Sequence, residues 1–237
     1  GLGWFLQGAN SRITRCAQNL SQDGQTRAID YSSSDRFCLD GNRLLAVSGE
    51  YGADGTEYRT ESDRFSRVIS HGYAGAGPAY FTVETREGLT QRYGSTPDAR
   101  IEAHNRSDVR VWALDRSEDR LGNYYEVGYF ESGDSTIYRP GEIRYTGNDS
   151  AGLVPNARVA FSYESRPDDE VMYSGGQDYR LHSTRLKAID TEVDGQVVSS
   201  YRLDYEEAGI AKRSRLVQIQ RCSPRGDCLE PVRLEWQ

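Results

Sequence analysis

Apolar and polar positions alternate with a period of two over short segments along most of the chain. The clearest are Val109–Leu114, Tyr124–Phe130, Glu142–Thr146, Arg158–Tyr163, Arg185–Val193, Val197–Tyr205, Arg215–Arg221 and Pro231–Trp236. Alternation at this period puts successive side chains on opposite faces, so these segments read as half-buried antiparallel strands. Turn-forming pairs punctuate them: Asp23–Gly24, Asp40–Gly41, Asp54–Gly55, Glu87–Gly88, Gly122–Asn123, Gly147–Asn148 and Asp194–Gly195. A helical period is scarce. Glu206–Ser214 reads as one turn or a loop, and the Gly-rich stretch His71–Pro78 as a loop. The predicted class is all-β, with antiparallel sheets built from consecutive hairpins.

One hairpin can be registered. With Asp194–Gly195 as a two-residue turn, Val193 faces Gln196, Glu192 faces Val197, Ala188 faces Tyr201 and Leu186 faces Leu203. Most apolar groups then share one face, as a half-buried hairpin requires. A looser echo links 119–129 with 194–205. Both run from an acidic and glycine turn into a strand with recurring tyrosines. The irregular spacing marks a strand-pair theme, not a strict solenoid repeat. No low-complexity linker interrupts residues 1–237, which read as one β-rich domain.

Composition sharpens this picture. Only 36% of the 237 residues are hydrophobic, so much of each element must face water or a polar interior. Tyrosine is the dominant aromatic, with 16 against 6 Phe and 3 Trp. Of the 29 basic residues only Lys187 and Lys212 are lysine. Arginine's planar fork suits paired, partly buried carboxylates on a sheet face, with base bias in the gene as the competing explanation. The net charge of −7 argues against nucleic acid as the main partner. No apolar run approaches the roughly 20 residues of a membrane span. The opening Gly1–Trp4 lacks an initiator Met, a basic leader and a signal-type apolar stretch, so the chain reads as a piece of something longer.

Candidate chemistry is sparse. The four cysteines, Cys16, Cys38, Cys222 and Cys228, contain no CxxC pair and fit no common zinc spacing. In an oxidising compartment Cys222 and Cys228 would close the turn between two strands. Cys16 and Cys38 would then pair by elimination, one of three connectivities; four buried thiols are the alternative. Arg225–Gly226–Asp227 is a tripeptide that some cell-surface receptors read, but it is also ordinary turn composition. His71, His104 and His182 stand alone, with no HExxH and no GxSxG elbow. Asp168–Asp169–Glu170 and Asp134 lack a calcium-loop pattern, and the triplet reads as a solvated acidic turn. Gly75–Pro78 does not join a strand to a helix, so it is no phosphate loop. Trp4, Trp112 and Trp236 could build a sugar platform, although strand aromatics more often pack. No paired carboxylates stand out among 36 acidic residues. No enzyme signature, cofactor or metal set emerges.

Several motifs in order carry a family resemblance. They are Gly1–Gly8 (GLGWFLQG), Ile13–Cys16, Asp35–Leu44 (DRFCLDGNRL), Val47–Gly52, Gly55–Glu61, Phe65–Val68, Val111–Leu114, Asp119 with Gly122–Tyr124, Ile143–Asn148 and Cys222 with Cys228–Trp236. Together they resemble the N-terminal domain of the Salmonella virulence plasmid B protein and the B component of bacterial Tc insecticidal toxin complexes. The resemblance covers nearly the whole chain. It implies part of a curved shell related to the YD/Rhs-repeat toxins, non-catalytic and secreted, which encloses or presents a C-terminal toxic domain. The implied partners are the remainder of the same chain or a partner toxin subunit, with a host surface receptor as a further one. The competing function is a carbohydrate- or receptor-binding β module; a hydrolase is a third. Two departures stand out. A strand that usually precedes the Gly–Trp motif is missing, which predicts an open sheet edge there, and residues 9–12 carry an extra residue, which predicts a bulge.

Overall fold

The structure is a computed structural model and describes residues 10–62, 65–131, 137–174, 178–209 and 212–236. It is built almost wholly of antiparallel strands. The first group is β1 (Arg12–Cys16), β2 (Arg36–Leu39), β3 (Asn42–Ser48), β4 (Glu57–Thr60), β5 (Arg67–His71), β6 (Tyr80–Glu84) and β7 (Thr90–Tyr93). The short β8 (Arg100–Glu102) and the long β9 (Val109–Glu118) follow. The second group is β10 (Asn123–Glu131), β11 (Tyr138–Asn148), β12 (Ala157–Ser174), β13 (Asp178–Val193), β14 (Gln196–Ala208), β15 (Arg213–Cys222) and β16 (Val232–Arg233). Neighbours in sequence pair in order, as short hairpin connections favour.

Strands β1 to β7 and β9 close into an eight-stranded barrel, because β9 pairs with both β7 and β1. The alternating residues that point inward fill it: Phe37, Leu44, Tyr58, Val68, Phe81, Val83, Tyr93 and Trp112 form one buried cluster. Trp112 meets Phe37 and Phe81 edge-on at 5.4 and 5.2 Å, and its indole N–H donates to the Pro78 carbonyl at 3.0 Å. Gly94 lies at φ +73°, and a β-carbon there would come within 2.5 Å of the Trp112 ring, so both backbone and packing demand glycine. At one end Arg15 and Asp35 form an ion pair at 3.1 Å with both side chains almost fully buried. Such a pair persists only when its remaining polar atoms are met. Arg15 also donates to the carbonyls of Val109, Ser32 and Ala76, and Asp35 accepts the N–H groups of Asp30 and Tyr31. The expected loop at His71–Pro78 begins after β5 ends at His71, and its Ala76 carbonyl accepts from Arg15 of this pair. Its Ala76 N–H donates to Asp108.

Strand β1 is paired on both sides, by β2 and β9, so the barrel has no edge there; the open edge expected beside the Gly–Trp motif falls on residues outside those described. The predicted bulge at 9–12 and the Gly1–Gly8 motif with Trp4 involve residues outside those described. The registered hairpin is right at its turn and one residue off beyond it. Asp194 and Gly195 lie at φ +50° and +75°, as a type I′ turn needs, and Val193 pairs with Gln196 and Glu192 with Val197. A bulge at Val198 then shifts the ladder, so Ala188 pairs with Arg202 and not with Tyr201. Gly147–Asn148 does not turn but ends β11, the turn being made by the following 3-10 segment Asp149–Ala151. Glu206–Ala208 and Arg213–Ser214 belong to β14 and β15, not to a helical turn. A one-turn helix, α1 (Leu20–Asp23), ends on Gly24 in the left-handed region.

Candidate functional site

From β9 onward the sheet carries a repeated device. Each odd strand has a bulge at one level: Asp115 in β9, Gly141 in β11, Lys187 in β13 and Val217 in β15 are the extra residues. The residue before each bulge, Leu114, Pro140, Leu186 or Leu216, is buried and faces a tyrosine of the preceding strand: Tyr93, Tyr129, Tyr163 or Tyr205. On its other side the ladder stops. Strands β9 and β10 pair only as far as Arg116 and Glu126, β11 and β12 as far as Glu142 and Ala160, and β13 and β14 as far as Ala188 and Arg202. Each parting leaves a carbonyl facing a gap, and an unpaired buried carbonyl is costly.

An aromatic side chain of the next strand fills every gap. The Tyr129 hydroxyl donates to Leu114 O at 2.7 Å, Tyr163 to Pro140 O at 2.8 Å and Tyr205 to Leu186 O at 2.6 Å. At the last position the Trp236 indole N–H donates to Leu216 O at 2.8 Å. The aromatics thus form a continuous transverse row, in which Tyr129, Tyr163 and Tyr205 each face one bulge while satisfying the carbonyl of the bulge before it, and Trp236 caps the last. Sequence supplies each step as a buried aliphatic or aromatic residue two places before the donor: Val127, Phe161 and Leu203, with half-buried Leu234 at the end. Phe161, Leu186, Leu203 and Leu216 pack into one cluster along the row.

Arginines brace it. The Arg139 guanidinium lies 5.0 Å over the Tyr163 ring and that of Arg185 4.5 Å over Tyr205; each occupies the position just before Pro140 or Leu186. Burial raises the pKa of all three tyrosines, Tyr163 to about 12, so each hydroxyl keeps its proton and remains a donor.

Beyond the row the sheet divides into three two-stranded fingers: β10 with β11, β12 with β13, and β14 with β15. Polar struts tie them sideways. Arg139 bonds the Thr184 hydroxyl, Arg185 donates to the Ser214 hydroxyl at 2.9 Å and Asp168 accepts from Ser214 N–H at 2.8 Å, while bonds within the middle finger, Arg185 to Glu164 at 2.8 Å and Arg166 to Asp168 at 2.7 Å, hold two of these struts in place. The Arg166 bond, opposed by burial and aided by Ser214, holds the Asp168 carboxyl far below the usual range. Asp168 is therefore a buried strut inside β12, which corrects the solvated acidic turn expected at 168–170.

The first parting has a different filling. At Leu114 the N–H donates to Ser11 O at 3.1 Å while its carbonyl takes the Tyr129 hydroxyl, so β1 enters where β10 leaves. The departure of β10 makes room for barrel closure, and the one long strand β9 joins the barrel to the sheet that follows it.

The other expected site residues lie apart from this row. The structure joins Cys16 to Cys38, linking β1 and β2, and Cys222 to Cys228, with Cα separations of 6.0 and 4.0 Å. His71 is stacked on Tyr80 and bonds Thr82, and burial lowers its pKa; His104 lies in the loop after β8 and His182 on β13. Among the described residues no three His, Cys, Asp or Glu side chains converge as metal ligands. Asp134 lies outside the described residues. Trp112 and Trp236 are packing and capping groups, not a shared platform.

Solved structures share this fold. The chain superposes on the crystal structure of TcdB2–TccC3–Cdc42 with a TM-score of 0.72 at 16% identity, over 96% of this chain and 14% of that one. Against the Photorhabdus luminescens Tc holotoxin pore the TM-score is 0.74 at 16% identity, over 97% and 14%. The N-terminal domain of effector protein SpvB from Salmonella typhimurium strain LT2 matches at 0.70 and 16%, over 91% of this chain and 87% of that domain. This chain has the SpvB/Tc toxin fold. The SpvB/Tc fold is the one the sequence motifs resemble, and the closed barrel followed by consecutive antiparallel hairpins bears out the all-β reading. The chain spans only about one seventh of the length of the Tc chains it matches. No family model matches the sequence, and no curated protein does.

Proposed function

We propose that this chain is a non-catalytic structural segment of a secreted toxin, forming part of a β-sheet wall that encloses or presents a toxic domain carried elsewhere in the polypeptide. The row of capped bulges carries this reading. Aligned bulges bend a sheet along one line, and a bent sheet anchored to a closed barrel is a means of building a wall. Its buried polar groups are spent on one another: Arg116, Arg139, Arg166 and Arg185 all brace tyrosines or carboxylates of the wall. The partners in this reading are the remainder of the same chain or a second toxin subunit, and a host surface receptor on the outside. The neighbours in Tc complexes support it, since there the equivalent region is a minor share of a larger chain.

Protease protection of the natural polypeptide tests the proposal. A toxic region should resist cleavage in the intact protein and become sensitive when the wall is opened by mild denaturant. A complete secreted product of this chain alone, or a toxic region cut equally fast before and after opening, would refute it. Glycan turnover lost on carboxylate substitution would instead favour a hydrolase.

A further inference from the structure

The Cys222–Cys228 turn carries a motif that the wall does not use. Arg225, Gly226 and Asp227 form its exposed tip. The base is pinned by the disulfide and by a backbone bridge between Cys222 and Cys228. Within it Ser223 N–H donates to Asp227 O at 2.8 Å and Gly226 N–H to Ser223 O at 3.0 Å. Gly226 lies at φ +90° with open space where a side chain would be, so the turn's backbone requires glycine. The turn does not require its two charged neighbours. Neither the Arg225 nor the Asp227 side chain makes a hydrogen bond or ion pair among the described residues, in contrast to the bracing arginines of the wall. Beside the loop an open cavity of about 410 Å³ has Val198 and Leu229 in its lining, both more than half exposed.

We propose that Arg225–Gly226–Asp227 is a docking loop for a cell-surface adhesion receptor that binds through a divalent cation of its own. The Asp227 carboxylate supplies the hard oxygen ligand that such a cation takes, and Arg225 supplies a planar guanidinium for a receptor carboxylate. The disulfide and the two turn hydrogen bonds hold both groups on one short closed loop, which cuts the ordering cost of binding. Val198 and Leu229 add apolar contact at its side. This inference does not depend on the wall reading: a chain that fails to enclose a cargo would still present the loop.

The test uses the purified oxidised chain and, as probe, the ectodomain of an Arg-Gly-Asp-reading integrin in Mg²⁺ buffer, followed on a biosensor. Saturable binding is expected, abolished by EDTA and competed by a linear Arg-Gly-Asp peptide. Asp227→Glu keeps the charge but displaces the carboxylate by one methylene, and should weaken binding about tenfold or more. Arg225→Ala should weaken it as well, and both exposed substitutions should leave the thermal melt unchanged. Opening the loop with the Cys222→Ser/Cys228→Ser double variant should also reduce affinity. Absence of binding by the wild-type chain overturns the proposal. So does binding that survives EDTA or Asp227→Glu, which would mean a different surface and partner.

Discussion

Removal of one hydroxyl from the row is the sharpest perturbation of the wall. Tyr205→Phe keeps the half-buried ring and its contact with Arg185 but deletes the 2.6 Å bond to Leu186 O. The carbonyl beside the Lys187 bulge then loses its partner at a point where the β13–β14 ladder has already stopped. A net hydrogen bond is worth about 1 kcal/mol, and a buried acceptor left unsatisfied raises the cost towards ~2 kcal/mol. For a chain of this size that corresponds to a fall in Tm of roughly 2–8 °C. Tyr201→Phe is the matched control, since that ring is more than one-third exposed on the same strand; it should change stability by less than about 0.5 kcal/mol. Thermal melts of both variants give the totals, and amide hydrogen exchange across 203–208 and 213–216 locates the loss in the third finger. Tyr129→Phe should cost more than Tyr205→Phe, because Tyr129 and its acceptor residue Leu114 are both buried and lie where barrel and wall join. Equal melts for Tyr205→Phe and Tyr201→Phe, with no local change in exchange, would refute the idea that these hydroxyls hold the partings together.

Asp168→Asn should destabilise the chain at neutral pH. The native carboxyl titrates below its unfolded value, so its contribution is present above about pH 4 and lost only as pH falls through the depressed native value. The gap between variant and wild-type melts should therefore close only in strong acid. Reduction should lower Tm. The Cys16→Ala/Cys38→Ala pair should cost more than Cys222→Ala/Cys228→Ala, since the first bridge closes a loop with a sequence separation of 22 and the second one of 6. A non-reduced digest analysed by mass spectrometry checks both linkages directly. Gly94→Ala should lose more than about 2 kcal/mol or fail to accumulate as folded protein, because the new methyl meets the Trp112 ring in a left-handed backbone; denaturant unfolding measures it.

Alternation and turn chemistry made the strands of the wall legible, because each has one buried face. The echo between 119–129 and 194–205 was real in a sense that spacing alone could not express. Tyr129 and Tyr205 end the two segments, and both cap the bulge of the strand before. The bulges themselves were hidden, since an extra residue leaves no composition signal, and one at Val198 put the far end of the registered hairpin out by a step. Barrel closure was hidden for a related reason: pairing of β1 with β9 joins residues about a hundred positions apart, with no local mark. Asp168 was misread because an acidic triplet looks solvated until Arg166 and Ser214 are found against it. The tyrosine and arginine richness was visible from the start, and the row now supplies its physical use.

In the wall reading the sheet continues past its last strand. Strand β16 covers β15 only at Gln218 and Ile219, and on its own outer side β16 has no strand beside it among the described residues. Cryo-electron microscopy of the natural full-length protein addresses this directly. The expected result is a further strand or partner subunit paired along the outer side of β16, with the toxic region inside or against the curved face. A map in which that edge faces solvent, and the curved face encloses and contacts nothing, would contradict the wall.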